Sequence, residues 1–295
     1  MLRPALLDRP RLLIVGCGDV GLRVLRLLAG RWRVRVLSST PARAALLRAA
    51  GAQVLAGDLD WPASLARLGG LADAVLYLAP PPAEGARDLR LAALLDALAR
   101  RCRPACLVYA STSGVYGDAG GARIDETRVV APATARAQRR VDAEGRVRLH
   151  GRRHGTRVSI LRVPGIYALD RVGGDPRERV ARGAPVLVAG EDVYTNHIHA
   201  DDLARACVAT LFRGAPQRIY HASDDSALKM GDHLDQVADA AGLARPPRIT
   251  RAEAERVLPP TQLSFWNESR RLDNRRLKRE LRLRLRYPTP ADALR

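Results

Sequence analysis

Short apolar runs recur along the first half of the chain, and amphipathic segments separate them. Short apolar strands that alternate with helices are typical of a parallel sheet covered on both faces. The pattern therefore predicts an α/β fold with a doubly wound parallel sheet. The predicted strands are Leu12–Val15, Val34–Leu37, Gln53–Ala56, Ala74–Leu78, Cys106–Ala110 and Val158–Val163. The predicted helices are Val20–Leu28, Ala42–Ala50, Pro62–Leu68, Ala86–Arg101 and Thr134–His154.

The alternation breaks after Val163, where glycine and proline mark several loops. The later elements predict a smaller C-terminal α/β lobe over the open edge of the sheet. We divide the chain into a sheet domain, residues 1–165, and a substrate-side lobe, residues 166–295, partly interleaved with the sheet. The elements predicted in the lobe are helices at Asp201–Phe212, Met230–Ala241 and Arg270–Leu281, the last basic and amphipathic, and a strand at Arg218–His221.

A glycine-rich turn joins the first predicted strand to the first predicted helix. Gly16-x-Gly18-x-x-Gly21 comes directly after Val15, which is the order of strand, tight turn and helix that a Rossmann-type dinucleotide site requires. The helix N-terminus would then face the pyrophosphate. The alternative is a glycine-rich turn in another kind of α/β protein. The turn residues expected to contact a dinucleotide are Gly16, Cys17, Gly18, Asp19, Val20 and Gly21.

The residues after the second strand favour NADP over NAD. An NAD site usually has an acidic residue here, whereas this chain has Ser38 and Ser39, with Arg43 close behind. Hydroxyls and a guanidinium suit a 2′-phosphate; the alternative is that Arg43 is a solvated residue at a helix start. After the third strand, Asp58 and Leu59 are expected near the adenine, although Asp58 is equally explained as a turn residue. Leu78, Ala79 and Pro80, after the fourth strand, are expected to line the same site.

The charge changes this picture little. The 295 residues carry a formal net charge of +18, which suggests a nucleic-acid partner. However, the basic residues are spread along the whole chain, all but Lys229 and Lys278 are arginine, and aromatic residues make up only 4%. The aromatic platforms of a single-strand binder are therefore missing. We expect a small-molecule partner instead of a nucleic acid.

The composition predicts a reduced, cytoplasmic protein without a metal site. No apolar run approaches the roughly 20 residues of a membrane span, and Met1–Pro10 is too short and too interrupted for a signal peptide. Cys102 and Cys106 have no second pair with which to bind zinc. His150 and His154 share a helix face but have no acidic partner, and Asp201-Asp202 is interpreted as a helix N-cap.

Five segments together resemble the extended short-chain dehydrogenase/reductases, the group that includes the NAD-dependent epimerase/dehydratases. They are the glycine turn with Gly57-Asp58-Leu59, the segment Leu107–Asp118 with its Ser-Thr-Ser-Gly-Val-Tyr-Gly run, and the segments Leu161–Tyr167 and Asn196–Leu203. The resemblance covers most of the chain. It implies a cofactor-binding sheet and a catalytic group of Ser/Thr, Tyr and Lys, in which tyrosinate transfers the proton.

On the family's pattern Thr112 takes the Ser/Thr position and would orient the substrate oxygen, unless it only bonds to local backbone. The Tyr-x-x-x-Lys pair is missing, because Arg136 and Arg140 stand in its place between Pro132 and Glu144. Arginine has a pKa above about 12 and is no proton shuttle at neutral pH. Arg140 could still hold the nicotinamide ribose or a phosphate.

Other residues could take over the proton transfer. The candidates named with Thr112 are Tyr116, in the Val-Tyr-Gly turn, and Tyr167, near the expected nicotinamide end, where Pro164 also lies. Histidine is another option, at His197 or His199, since its pKa suits acid–base work.

Two functions remain open from the sequence. One is an NAD(P)-dependent oxidoreductase or epimerase/dehydratase that acts on a small polar substrate, sugar- or nucleotide-linked in one version. The other is an NADP(H)-binding sensor or scaffold without turnover, which the missing pair favours. The resemblance also makes a homodimer plausible.

Overall fold

The computed structural model describes residues 9–101 and 103–294; the start of the chain and Cys102, both discussed above, lie outside them. The strands, in chain order, are β1 (Arg11–Val15), β2 (Arg33–Ser38), β3 (Gln53–Ala56), β4 (Ala74–Tyr77), β5 (Cys106–Thr112), β6 (Arg123–Ile124), β7 (Arg157–Val163), β8 (Gly165–Tyr167), β9 (Val186–Leu187), β10 (His197–His199), β11 (Arg218–His221), β12 (Arg248–Ile249) and β13 (Arg271–Leu272). The helices are α1 (Asp19–Leu28), α2 (Ala44–Ala49), α3 (Leu89–Ala99), α4 (Ala135–His154), α5 (Pro176–Ala181), α6 (Ala200–Arg213), α7 (Met230–Ala241), α8 (Arg251–Val257), α9 (Pro260–Trp266), α10 (Arg275–Glu280) and α11 (Pro290–Ala293).

The central sheet has seven parallel strands in the order β3-β2-β1-β4-β5-β7-β11. The direction of winding reverses between β1 and β4. In open parallel sheets, the crevice for a ligand forms outside the carboxyl ends of the strands at this switch point. The predicted fold class is thereby confirmed, and the topology says where a site must be sought.

Strand β1 shows why four consecutive positions at the centre of the sheet are apolar. Leu12 and Ile14 lie in the core cluster with α1 and α6, whereas Leu13 and Val15 lie in the cluster on the opposite face with α3 and α4. Successive side chains of a strand point to opposite faces. Because helices cover both faces, every position from Leu12 to Val15 must be apolar.

Two predicted helices are shorter in the structure. The helix predicted from Ala86 begins at Leu89, since the Asp88 carboxylate accepts a hydrogen bond from the Leu91 amide. The segment from Pro62 forms only a 3-10 turn, Pro62–Leu65.

The basic helix predicted at Arg270–Leu281 is wrong in its first part. The Arg271 and Asp273 amides donate to carbonyls of the β6 segment, so this stretch forms β13 and the helix starts only at Arg275. The N-cap predicted at Asp201-Asp202 is also wrong. His199 caps α6, and both aspartates lie in its first turn.

The lobe expected beyond residue 165 shares its core with the sheet. β11 extends the sheet, and α6 packs against α1 on one face of it. A separate small core joins α5 and α7, and another lies around Trp266. The division at residue 165 stays a prediction.

Arg23 connects the first helix to that lobe. It is 7% exposed, and its guanidinium donates to Asp19 on α1, to Asp170 after β8 and to Asp201 on α6. The last two contacts are both 2.5 Å long. One buried cation thus ties three segments that are far apart in sequence.

A second buried network ties α4 to the sheet. Glu144 on α4 accepts hydrogen bonds from Arg162 on β7 at 2.7 Å and from the Ser111 hydroxyl on β5 at 2.6 Å. The ion pair is nearly inaccessible, with side chains 4% and 7% exposed. Burial costs such a pair part of its attraction, but removal of one partner leaves an uncompensated charge in the core.

We therefore expect Arg162→Met to lower the free energy of unfolding by about 3–5 kcal/mol. Urea denaturation followed by circular dichroism measures the change. Arg245→Met is the control, because Arg245 pairs with Asp239 at the surface and exposed pairs contribute little. Equal losses in both variants would contradict a structural role for the buried pair.

Candidate functional site

Two cavities open at the carboxyl ends of the central strands. The first, about 420 Å³ in volume, lies at the switch point between β1 and β4. The residues predicted from the sequence that line it are Gly16, Cys17, Gly18, Ser38, Ser39, Arg43, Asp58, Leu59, Leu78, Ala79 and Pro80.

Two glycines of the turn have different physical reasons to be glycine. Gly16 has a φ of +85°, and a Cβ there would lie 2.3 Å from the Ala79 nitrogen, so the fold itself requires glycine. Gly18 has an ordinary φ of −80°, and a Cβ there would meet nothing within 4 Å. The fold therefore does not require glycine at residue 18, and the open space above it faces the cavity.

The rest of the glycine motif lies behind the cavity. Asp19 bonds to Arg23 one turn along α1, and Val20 is buried in the core. A Cβ on Gly21 would lie 2.9 Å from the Cys17 sulfur, so Gly21 serves the packing of the turn. The structure does not bring Asp19, Val20 or Gly21 to the cavity wall.

The far end of the first cavity carries the residues expected to select the cofactor. Arg43 donates from Nη2 to the Cys17 carbonyl at 2.9 Å, which holds its guanidinium beside the glycine turn. Ser38 and Ser39 line the same wall. Asp58 also lines it, and its carboxylate accepts from the Asp60 amide at 2.9 Å.

The second cavity, about 710 Å³ in volume, lies between the ends of β5 and β7 and the C-terminal lobe. The predicted residues Thr112, Tyr167, Arg140 and Pro164 line it, together with Arg136. Thr112 ends β5, and its hydroxyl accepts from the Gly114 amide at 3.2 Å. Its oxygen retains a proton to donate to a ligand.

Arg140 lies at the boundary of the two cavities. Its Nη1 donates to the Ala110 carbonyl at 2.9 Å, to the Tyr109 hydroxyl at 3.0 Å and to the Ala79 carbonyl at 3.4 Å. Ala79 lines the first cavity, whereas Arg140 lines the second. A fixed positive charge therefore stands between them.

Arg136 is held differently, with its guanidinium 5.0 Å from the centre of the Phe265 ring. This cation–π contact joins the start of α4 to α9 across the second cavity. Arg136 and Arg140 thus face the same cavity from one helix, and their assignment to the positions of the family's Tyr and Lys stays a prediction.

Tyr116 lies in the core, outside both cavity walls. It is fully buried, its hydroxyl is 2.5 Å from the His221 Nε2, and the Arg162 guanidinium stacks on its ring at 4.6 Å. Burial raises its pKa to about 12. The catalytic role predicted for Tyr116 stays a prediction, and this position does not favour it.

Tyr167 lines the second cavity but turns its hydroxyl elsewhere. The hydroxyl donates to the Thr289 carbonyl at 3.4 Å, and the ring packs edge-on against His197 and His199. Burial raises the pKa of this tyrosine. Its predicted catalytic role also stays a prediction.

Sequence reasoning missed two ion pairs that line the cavities. Arg90 and Asp60 meet at 2.5 Å beside the first cavity. Glu268 and Arg270 meet at 2.7 Å in the second cavity, each 10% exposed, and the Glu268 carboxylate lies 4.0 Å from the Cβ position of Gly114. These residues belong to no motif, so only the folded chain shows where they lie.

Over residues 9–101 and 103–294, no group of three or more His, Cys, Asp or Glu side chains is placed to hold a metal ion. No helix in the same ranges is both long and apolar enough to cross a membrane.

The order of the strands, the glycine turn and the two adjoining cavities together define the class of this protein. It is a dinucleotide-binding α/β protein of the extended short-chain dehydrogenase/reductase type. The model of the NAD dependent epimerase/dehydratase family matches residues 12–222, from β1 to just beyond β11. The chain therefore belongs to the NAD-dependent epimerase/dehydratase family. The predicted family and the predicted NAD(P)-binding function are confirmed at this level.

Solved structures share this fold over nearly the whole chain. A functionally unknown conserved protein from Silicibacter pomeroyi DSS is 30% identical, with a TM-score of 0.82 over 97% of this chain and 96% of that one. The dTDP-glucose 4,6-dehydratase DesIV from Streptomyces venezuelae, a double mutant with NAD bound, is 22% identical, with a TM-score of 0.75 over 96% and 95%. UDP-glucose 4-epimerase from Thermotoga maritima, with UDP-glucose, is 18% identical, with a TM-score of 0.77 over 96% of each chain. A search of curated proteins found no match.

The two glycines give a test of the first cavity. We expect Gly18→Ala to leave the thermal unfolding midpoint unchanged, because its Cβ meets nothing, but to weaken NADH binding by about tenfold or more, because the methyl group blocks the approach of a pyrophosphate. Calorimetric titration and thermal denaturation measure the two effects.

Gly16→Ala is the matched control. Its Cβ would overlap the backbone of Ala79, so it should lower the unfolding midpoint even without cofactor. If Gly18→Ala binds NADH like the wild type, the first cavity is not the dinucleotide site.

Proposed function

We propose that this protein is an NADP-preferring oxidoreductase or epimerase/dehydratase that acts on a small polar substrate held in the second cavity. The observation that carries the proposal is the position of Arg140, which lines the second cavity beside Thr112 and bonds to Ala79 of the first. A hydride transfer needs a dinucleotide and a substrate side by side, and this is the arrangement that two adjoining cavities provide.

The residues of the first cavity fit a dinucleotide. Gly18 leaves open space in front of the N-terminus of α1, where the backbone amides and the helix dipole favour a phosphate. Ser38, Ser39 and Arg43 supply hydroxyls and a guanidinium for a 2′-phosphate. When bound, the nicotinamide would supply the donor or acceptor of a hydride.

Thr112 and Arg140 would handle the reacting end of the substrate. The Thr112 hydroxyl accepts from the Gly114 amide and can donate its proton to a substrate carbonyl or hydroxyl oxygen. Arg140, fixed by three oxygen acceptors, places a positive charge where negative charge would develop on that oxygen.

Glu268 is the group we assign to move the proton. The alternatives in the second cavity are poorly suited, because burial raises the pKa of Tyr167 and lowers the pKa of His197 and of His233, the latter to about 4. The Glu268 carboxylate lies beside the turn that comes after Thr112, and Arg270 holds it in place.

The solved relatives suggest the chemical class of the substrate. The dehydratase and the epimerase described above act, by name, on nucleotide-linked sugars. The cationic Arg136 and Arg140 in the second cavity suit an anionic or phosphorylated molecule. We therefore propose a substrate with hydroxyl groups and a negative charge; a sugar nucleotide is one such molecule.

A sensor without turnover is the second candidate, and one observation favours it. Arg136 and Arg140 occupy the helix positions at which the family's pattern has the proton-transferring Tyr and its Lys. A protein that has lost both groups could bind NADP(H) and signal its redox state. This candidate predicts tight dinucleotide binding and no dependence of function on Thr112.

Arg43→Ala tests the preference for NADP. We expect NADPH binding to weaken by about tenfold or more, because a guanidinium–phosphate contact is lost, and NADH binding to change far less. Titration calorimetry with both nucleotides measures this difference. Equal weakening would show that Arg43 supports the glycine turn through the Cys17 carbonyl and does not read the phosphate.

Thr112→Val tests the reaction. A panel of sugar nucleotides and small hydroxy acids, incubated with NADP⁺ or NADPH, first identifies a substrate. Product formation is followed by NMR as well as by NADPH absorbance, because an epimerase or dehydratase returns the hydride to the substrate and leaves no net change in absorbance. We then expect Thr112→Val to lower kcat about a hundredfold with unchanged NADPH affinity, since the hydroxyl contributes to the reaction and not to cofactor binding.

Thr112→Ser is the matched control and should retain most of the activity.

Glu268→Gln should lower kcat without weakening NADPH binding. Tight NADPH binding with no turnover across the panel would instead favour the sensor.

A further inference from the structure

One wall of the second cavity carries a half-buried arginine that is only partly paired. Arg179, on α5, contacts the Met230 sulfur through Nη1 at 3.5 Å. Its Nη2 is shielded from solvent and has no hydrogen-bond partner among the described residues. Burial lowers the pKa of this arginine and repulsion from Arg182 adds to the effect, whereas the charge of Asp192 opposes it. A guanidinium nitrogen that is shielded from water and makes no hydrogen bond favours an anion beside it.

Two stacked histidines stand beside this arginine. The rings of His197 and His233 lie 4.1 Å apart between centroids, and the residues are 8% and 3% exposed. Arg179 lines the same cavity as both histidines, and its charge lowers the pKa of each in addition to the effect of burial. Within the described part of the chain, neither Nδ1 has a hydrogen-bond partner.

His197 can present a donor to this wall. The Thr195 hydroxyl lies 3.4 Å from the His197 Nε2 and can either donate to it or accept from it. In the tautomer whose Nε2 accepts, the proton lies on Nδ1, which has no hydrogen-bond partner among the described residues. In that tautomer the wall offers an anion both a guanidinium and an imidazole N–H.

We propose that Arg179, His197 and His233 form a subsite that binds a carboxylate group of the substrate. The inference rests on the proposed function, since it names a chemical group of the molecule in the same cavity. With both histidines neutral, the cluster carries one positive charge, which a single carboxylate balances. A planar guanidinium edge also matches a carboxylate in a bidentate contact.

The subsite lies close to the reacting end. The Cδ2 of His197 is 3.4 Å from the Cβ position of Gly165, the residue after Pro164. Strand β10, which begins with His197, pairs with β8, which begins with Gly165. A bound carboxylate would thus be anchored next to the carboxyl end of β7, where the sheet presents the substrate to the cofactor cavity.

Small molecules of matched shape test the subsite in the full chain. Glycolate carries a carboxylate, and glycolamide has a similar shape but no charge. We expect glycolate to shift the imidazole NMR signals of His197 and His233 saturably, and glycolamide to leave them unchanged. Arg179→Gln should weaken glycolate binding by about tenfold or more, because a charged hydrogen bond is lost.

Two further variants complete the design. Arg179→Lys keeps the charge without the planar fork, so it should bind glycolate with intermediate affinity. Arg177→Gln removes a cation from the same helix, but Arg177 pairs with Asp175, so its glycolate affinity should stay at the wild-type value. An unchanged thermal unfolding midpoint in each variant shows that the fold is intact.

Several results would overturn the subsite. The first is equal binding of glycolate and glycolamide, and the second is an Arg179→Gln variant that binds glycolate like the wild type. The third is tighter binding of methyl phosphate than of glycolate. The fourth is no saturation by about 100 mM glycolate, a concentration far above the ~1 mM dissociation constant that so small an anion can reach. The same samples are titrated with NADPH. Glycolate binding without NADPH binding would sustain the subsite and remove the proposed function, and the reverse result would do the opposite.

Discussion

The ion pair between Glu144 and Arg162 is the constraint on which the candidate site depends. It fixes helix α4, which carries Arg136 and Arg140, against the strand that leads to Pro164. Through the Ser111 hydroxyl it also fixes the strand that ends in Thr112. Two strands and one helix therefore deliver their functional side chains to one place because a single buried carboxylate binds to both strands.

Arg162 also connects the Glu144 network to the edge strand of the sheet through a stacked tyrosine. Arg162 lies over the Tyr116 ring, and the Tyr116 hydroxyl meets His221 on the edge strand β11. Tyr116, a catalytic candidate from the sequence, thus uses its hydroxyl for a contact inside the core. Proton exchange at this pair is unfavourable near neutral pH, since burial raises the pKa of Tyr116 to about 12 and lowers the pKa of His221 to about 3.

The fold could be predicted from the sequence because its signals are local. The unbroken apolar run Leu12–Val15 indicates a strand covered on both faces, and the glycine turn indicates that a helix comes next. The predicted ends of helices and strands were wrong where a strand that is distant in sequence determines them. Arg271 joins a strand with Arg123, about 150 residues earlier, and no periodicity in Arg270–Leu281 could reveal that pairing.

The candidate site also has one part that could be predicted from the sequence and one part that could not. Much of the first cavity is built from residues at or just beyond the ends of strands, so Gly16, Ser38, Asp58 and Ala79 could be found by counting strands. The second cavity gathers side chains such as Arg179, His233 and Glu268 from separate loops and helices. Their spacing along the chain obeys no rule, and only three-dimensional packing brings them together.

The Arg23 cluster has a consequence for motion. One guanidinium on α1 forms ion pairs with the loop after β8 and with the first turn of α6. A hinge between α1 and this part of the lobe would have to separate both of these ion pairs at once. These charges therefore oppose relative movement of the helix that follows the glycine turn and the neighbouring part of the lobe, whether or not a ligand is bound.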